Sequence, residues 1–189
     1  MMALAQQLVS TSDYLHQERQ AEAKHEYIQG QIYAMAGASR EHNQLVFNLA
    51  GLLHAQLRNK PCSAYVANMC VRTRPNEAYF YPDLTMVCGA MQFEDAHGNT
   101  LINPTLIIEV LSPTTEGYDR GAKFAHYRRL ASLQQYVLVA QDRLSIECYT
   151  RHAPDQWLLS EVTELEQILT LGSIGCTLTL KEVYEKVFI

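Results

Sequence analysis

The sequence predicts a mixed α/β or α+β fold, a mixed sheet with helices on its faces, and three observations carry that expectation. Elements alternate along the chain in the order helix, hairpin, helix, several strands, helix, strands. The run Leu106–Leu111 is apolar at every position but Glu109 and is fenced by Pro104 and Pro113, the pattern of a strand buried on both faces. Leu45, Leu49, Leu52, Leu53 and Leu57 recur at helical spacing over about twenty residues. With 189 residues, 48% hydrophobic and 19% charged, the chain has ordinary globular composition and the size of one domain, taken as residues 1–189.

Ser10, Thr11 and Ser12 are N-cap candidates for a short helix over Asp13 to Gln20, with acidic Asp13 placed early as the helix dipole prefers. Lys24 to Met35 reads as a hairpin turning at Gln29-Gly30, followed by the Gly-containing stretch Ala36 to Ser39. Ser39 can cap the long helix, which should end at Asn59 before Pro61. Strands are expected at Ala64 to Ala67, Cys70 to Arg74 and Tyr79 to Cys88, and a polar loop at Glu94 to Asn103. After the Leu106–Leu111 strand come a helix from Thr115 to Ala131, strands at Gln135 to Ala140, Leu144 to Thr150 and Trp157 to Thr163, and a closing helix at Lys181 to Phe188.

No apolar stretch is long enough to span a bilayer, and Met1 to Ser10 lacks the basic start and long apolar run of a signal peptide, so a cytoplasmic location without membrane contact is expected. The five cysteines (Cys62, Cys70, Cys88, Cys148 and Cys176) include no CxxC pair and are expected as buried or free thiols. A formal charge of -5 argues against indiscriminate coating of nucleic acid, which needs many cationic contacts to phosphate, but leaves room for a local basic cleft.

Glu109 is the most informative position, because a carboxylate inside an apolar strand needs a metal, a cation or a hydrogen-bond network to receive it. Taken alone, it is equally a strand-end glutamate bonded to loop amides. Asp83 lies in Tyr81-Pro82-Asp83-Leu84, where the proline implies a strand start, edge or bulge that re-aims side chains. By itself Pro-Asp more often marks a turn. Lys123 falls on the helix after the apolar strand, beside the stripe Phe124, Tyr127 and Ala131; alone it reads as a solvated lysine among Arg120, Arg128 and Arg129.

In combination these residues give a pattern. Glu26-Tyr27-Ile28-Gln29-Gly30 with Met35, His42 opening the long helix, Tyr81-Pro82-Asp83-Leu84, Ile108-Glu109-Val110-Leu111-Ser112-Pro113, then Asp119, Lys123 and Tyr127, and Leu133 to Val139, follow one another over nearly the whole chain. In that order they resemble the PD-(D/E)XK nuclease superfamily, and within it the Uma-type branch of restriction-endonuclease-like proteins. The resemblance implies a restriction-endonuclease-like domain that hydrolyses phosphodiester bonds in DNA.

The superfamily usually carries its lysine two residues after the second carboxylate, on the same strand face. Here position 111 is leucine, and the resemblance implies that Lys123 brings the ammonium from the following helix. It further implies a Mg²⁺ or Mn²⁺ ion held by Asp83, Glu109 and the Val110 carbonyl, with Glu26 as a further site member and a homodimer as the assembly. His42 is expected either to meet a phosphate or to cap its helix. An alternative of another class stays open: a nuclease-fold protein that no longer cuts and binds DNA or a protein partner in a regulatory role, consistent with the acidic charge and the missing strand lysine.

Overall fold

The computed structural model describes residues 8–35, 37–94 and 98–188. Residues 1–7 of the N-terminal segment, Ala36 before the long helix and residues 95–97 of the expected loop lie outside them.

The chain opens with helix α1 (Thr11–Glu18), whose N-cap Ser10 accepts from the Asp13 N–H. Strands β1 (His25–Ile28) and β2 (Gln31–Ala34) form the hairpin. Its turn takes positive φ at both Gln29 (47°) and Gly30 (93°), the mirror-image geometry that matches strand twist. Helix α2 (Arg40–Leu57) is capped by Ser39, which accepts from the His42 N–H, and closes at Arg58.

Next come β3 (Cys62–Val66), β4 (Cys70–Arg72), β5 (Ala78–Phe80), β6 (Leu84–Cys88), β7 (Thr100–Leu101) and β8 (Leu106–Leu111). A helical segment follows in three parts: α3 (Glu116–Tyr118), a π-helical turn (Asp119–Lys123) and α4 (Phe124–Tyr127). The chain finishes with β9 (Gln135–Ala140), β10 (Ile146–Ala153), β11 (Gln156–Val162), β12 (Ile168–Leu171), β13 (Cys176–Thr179) and α5 (Leu180–Val183).

These strands make a mixed α+β architecture. One sheet runs β11-β10-β9-β8-β6-β3, with β8 and β9 parallel and the other pairs antiparallel. A second runs β2-β1-β5-β4-β7, and β12 pairs β13 in a third. Helix α2 lays Leu45, Leu49, Leu53 and Leu57 against Met86, Ile108, Val110 and Val137 on one face of the larger sheet. On its other face Ile107, Leu111, Tyr136 and Leu138 meet Phe124 and Tyr127 of the helical segment and Val71 and Phe80 of the second sheet. The far side of that second sheet packs Tyr27 and Tyr79 against Tyr14 of α1. Each fully buried leucine contributes about 1.5–3 kcal/mol, which makes α2 a firm wall for the sheet that carries Glu109.

Four expectations need correction. The single strand expected at Tyr79 to Cys88 is broken at Tyr81-Pro82-Asp83 into β5 and β6, which belong to different sheets. The expected loop at Glu94 to Asn103 contains β7, which pairs with β4. The closing helix is only Leu180–Val183, because the chain turns after it and Lys186 takes positive φ (61°); β12 and β13 before it were not anticipated. Cys70, Cys148 and Cys176 are free and buried as expected, but Cys62 and Cys88 form a disulfide. They face each other directly in the β3–β6 register, a proximity that linear spacing does not reveal. Among the described residues no helix is long and apolar enough to cross a membrane.

Candidate active site

Strand alternation decides where Glu109 points. Leu106, Ile108 and Val110 face α2, so Ile107, Glu109 and Leu111 face the helical segment. Glu109 is only 4% exposed, in a layer otherwise built of Phe124, Tyr127 and Tyr136. Two donors meet its Oε1: the Tyr127 hydroxyl at 3.0 Å and the Lys123 ammonium at 2.9 Å. The Asp83 backbone N–H approaches its Oε2 at 3.4 Å.

Asp83 sits at the crossing between the two large sheets. Ladder pairing between β6 and β8 stops at Leu84↔Ile108, so beyond it the β8 edge is open on that side. The Asp83 side chain takes up the edge: its Oδ2 accepts from the Val110 N–H at 2.8 Å. A strand residue's N–H and C=O point the same way, so the Val110 carbonyl faces this open edge too. His42, in the first turn of α2, reaches the same oxygen, with Nε2 at 3.2 Å from Oδ2. A carboxylate accepts, which makes Nε2 the donor in this contact; the buried Nδ1 has no partner among the described residues.

Lys123 closes the π-helical turn, a local widening that recurs at functional sites. Its side chain is 8% exposed and lies 3.0 Å from Glu26 Oε1, 2.9 Å from Glu109 Oε1 and 3.7 Å from Asp119 Oδ1, with the Phe80 ring 5.6 Å away. It is therefore a buried ion-paired lysine and not one of the solvated helix cations. The surface role falls to its neighbours: Arg120 pairs with Glu116 and Glu147, and Arg129 with Glu77.

Burial and charge pull this cluster in opposite directions. Burial pushes Glu109 up to about 8, opposed by Lys123 and reinforced by Asp83 and Asp119. Burial alone lowers Lys123, but Glu109, Glu26 and Asp119 outweigh it and hold the ammonium well above its ordinary value. Asp119 is raised, chiefly by burial.

Against one ammonium stand four carboxylates, Glu26, Asp83, Glu109 and Asp119, an excess of hard oxygen donors that suits a further cation. Among the described residues no group of three His, Cys, Asp or Glu side chains is placed to hold a metal ion. A Mg²⁺-type ion does not need one, since it keeps several waters and takes one or two carboxylates. The donor set fits such an ion.

All of the residues singled out in the sequence thus converge. Glu26 reaches the cluster through Lys123, whereas no ion pair joins Lys123 to Asp83 among the described residues. Two participants had no role assigned from sequence. Tyr127 read as part of an apolar stripe, yet its hydroxyl donates to Glu109. Asp119 lies 3.7 Å from Lys123, as helical i,i+4 spacing allows, and that spacing was the available signal. His42 does not cap its helix, a role Ser39 fills, and its ring meets Asp83.

Comparison with known proteins bears on this cluster. Residues 11–181 match the profile of the Uma2 family, described as "Putative restriction endonuclease". The chain belongs to the Uma2 family. The Uma2 match spans Glu26, Asp83, Glu109 and Lys123 alike. Two uncharacterized proteins of Synechocystis sp. are similar to it: one 37% identical over 162 residues, covering 86% of this chain and 92% of the relative, the other 32% identical over 176 residues, covering 93% and 91%. The crystal structure of a putative nuclease belonging to DUF820 from Anabaena variabilis superposes with a TM-score of 0.78 at 18% identity, over 95% of this chain and 99% of that one. This Uma2 chain is thus nuclease-like in family and fold.

Proposed function

We propose that the protein is a metal-dependent endonuclease that hydrolyses phosphodiester bonds in DNA, with Asp83, Glu109 and Lys123 as catalytic residues and Glu26 supporting the lysine. The observation that carries this reading is the buried Lys123 ammonium 2.9 Å from Glu109, which restores by way of a helix the carboxylate–lysine pair that Leu111 removes from the strand. Asp83, Glu109 and the Val110 carbonyl would hold Mg²⁺ or Mn²⁺, which when bound polarises the scissile phosphate and acidifies an attacking water.

The chain's own groups do the rest. Lys123 is held cationic by three carboxylates and is placed to orient water or to stabilise charge on the phosphorane. Tyr127 fixes Glu109 Oε1, leaving Oε2 toward Asp83. His42 and the Val110 N–H fix Asp83 Oδ2. The alternative of an inactive binding protein drew on the acidic charge and on the missing strand lysine, and the buried Lys123 speaks against the second ground alone. Cytoplasmic DNA is the substrate pool of this reading.

Incubation of plasmid and linear DNA with Mg²⁺ or Mn²⁺ tests it. Cleavage by the wild type, abolished by chelation and by Asp83→Ala, is the expected result. Metal-independent DNA binding without cleavage would favour the regulatory alternative.

A further inference from the structure

Buried tyrosine hydroxyls in this chain find partners. Tyr14 donates to the His25 carbonyl, Tyr127 to Glu109, Tyr136 to the Asp119 carbonyl and Tyr184 to the Ala140 carbonyl. Tyr118, the last residue of α3, differs: its hydroxyl oxygen is buried and has no partner among the described residues. A buried hydroxyl left unpaired is costly, so such a group calls for a ligand or a water. Its surroundings are those of the candidate site. Burial pushes the Tyr118 hydroxyl up, and Glu26, Lys123 and Asp119 are among the charges that act on it.

Lys123 presents a matching demand. An ammonium carries three N–H donors. Two are met, by Glu26 Oε1 at 3.0 Å and Glu109 Oε1 at 2.9 Å. The third carboxylate paired with it, Asp119 Oδ1, stands at 3.7 Å, beyond direct hydrogen-bond distance. A polar contact of that length is where a bridging water belongs. Tyr118 adjoins Asp119 in the chain, so an unmet N–H, an unmet hydroxyl and a carboxylate oxygen serve one place. Three polar partners are what a buried water ordinarily takes. The hydroxyl is covered, which suits a water and not a phosphate group of DNA.

We propose that Lys123, Tyr118 and Asp119 hold one buried water, and that this water is the nucleophile of the hydrolysis. Lys123 and Tyr118 donate to its oxygen, and Asp119 accepts from it. In the reaction that oxygen bonds to phosphorus as the bond from phosphorus to the leaving oxygen breaks. One water proton passes to Asp119, and the leaving oxygen takes one from bulk water. The nucleophile role rests on the nuclease reading, whereas the water site does not.

A high-resolution crystal structure of the full chain and single-turnover DNA cleavage by Tyr118→Phe test the proposal. The structure should show an ordered water within about 3 Å of Lys123 Nζ, Tyr118 Oη and an Asp119 oxygen. No water there overturns the proposal. Tyr118→Phe keeps the ring and removes only the unpaired oxygen, so the thermal midpoint should hold or rise. Cleavage should fall roughly tenfold at unchanged Mn²⁺ occupancy and DNA affinity, a split that a merely structural hydroxyl does not produce. Asp119→Asn, which takes away the proton acceptor, should cost roughly a hundredfold or more. Wild-type rates in Tyr118→Phe overturn the nucleophile role and leave the nuclease reading intact. Weaker DNA affinity in Tyr118→Phe overturns it too, by marking the hydroxyl as a phosphate contact. A wild type that holds the water but cuts no DNA overturns the nuclease reading and the nucleophile role together, and leaves the water site standing.

Discussion

The Lys123 ammonium lies 2.9 Å from Glu109 Oε1, and both side chains are almost fully buried although one belongs to a helical turn and the other to a central strand. Neither charge is tolerable there alone, so each residue explains the other's position.

The first prediction separates structure from chemistry at this pair. Lys123→Ala leaves Glu109, Glu26 and Asp119 without their cation and should cost about 3–5 kcal/mol of stability in metal-free protein, as expected for a buried ion pair with one partner removed. Chemical denaturation checks it. Lys123→Met keeps the side-chain volume and should lose less; equal stability of Lys123→Ala and wild type would show that the carboxylates do not depend on the lysine.

A second prediction concerns pH. The carboxyl of Glu109 is raised to about 8 in the folded protein, above its ordinary value near 4.5, so the native state retains a proton that the unfolded state has lost. Metal-free stability from this group is therefore complete below about pH 4.5 and is lost as pH rises toward 8; Asp119, also raised, adds in the same direction. Bound metal must displace that proton, so the rise in thermal midpoint given by Mn²⁺ should be larger at pH 8 than at pH 6. A Mn²⁺ effect independent of pH would contradict the assignment of Glu109 as ligand.

Tyr127→Phe removes one hydrogen bond to Glu109 and should destabilise by about 1 kcal/mol. Glu109 Oε1 should then be less firmly held, and cleavage should fall by roughly tenfold. The pair of measurements distinguishes a ligand-positioning hydroxyl, which affects both, from a packing residue, which affects stability only.

Much of this arrangement was legible because local signals and tertiary packing agree. Ser10 and Ser39 cap the helices they precede, and the apolar run around Glu109 became a strand buried on both faces. The break at Pro82 was legible only in part: the proline signalled an irregularity, but that β5 and β6 part into different sheets follows from packing against distant strands. Lys123 shows the same limit. Its helical spacing fits a surface cation as well as a buried one, and only the π turn and the carboxylates from β1 and β8 decide between them. The β3–β6 register that joins Cys62 to Cys88 is likewise a long-range property.

That disulfide yields a fourth prediction. It closes a loop with a sequence separation of 26 and should contribute about 3–4 kcal/mol by restricting the unfolded chain. Cys62→Ser/Cys88→Ser, or a dithiol reductant, should lower the denaturation midpoint accordingly. Because β6 begins beside Asp83, loss of cleavage greater than loss of folded protein would reveal a link between the bridge and the site.

The most direct test of the central claim is single-turnover DNA cleavage by wild type and Lys123→Met, with Mn²⁺ occupancy followed in parallel by paramagnetic resonance. The account predicts that the variant, its two carboxylates intact, still takes up Mn²⁺ but cleaves roughly a hundredfold more slowly, the loss expected when one group that stabilises the transition state is removed. Equal cleavage rates for the two proteins at equal Mn²⁺ occupancy would contradict it.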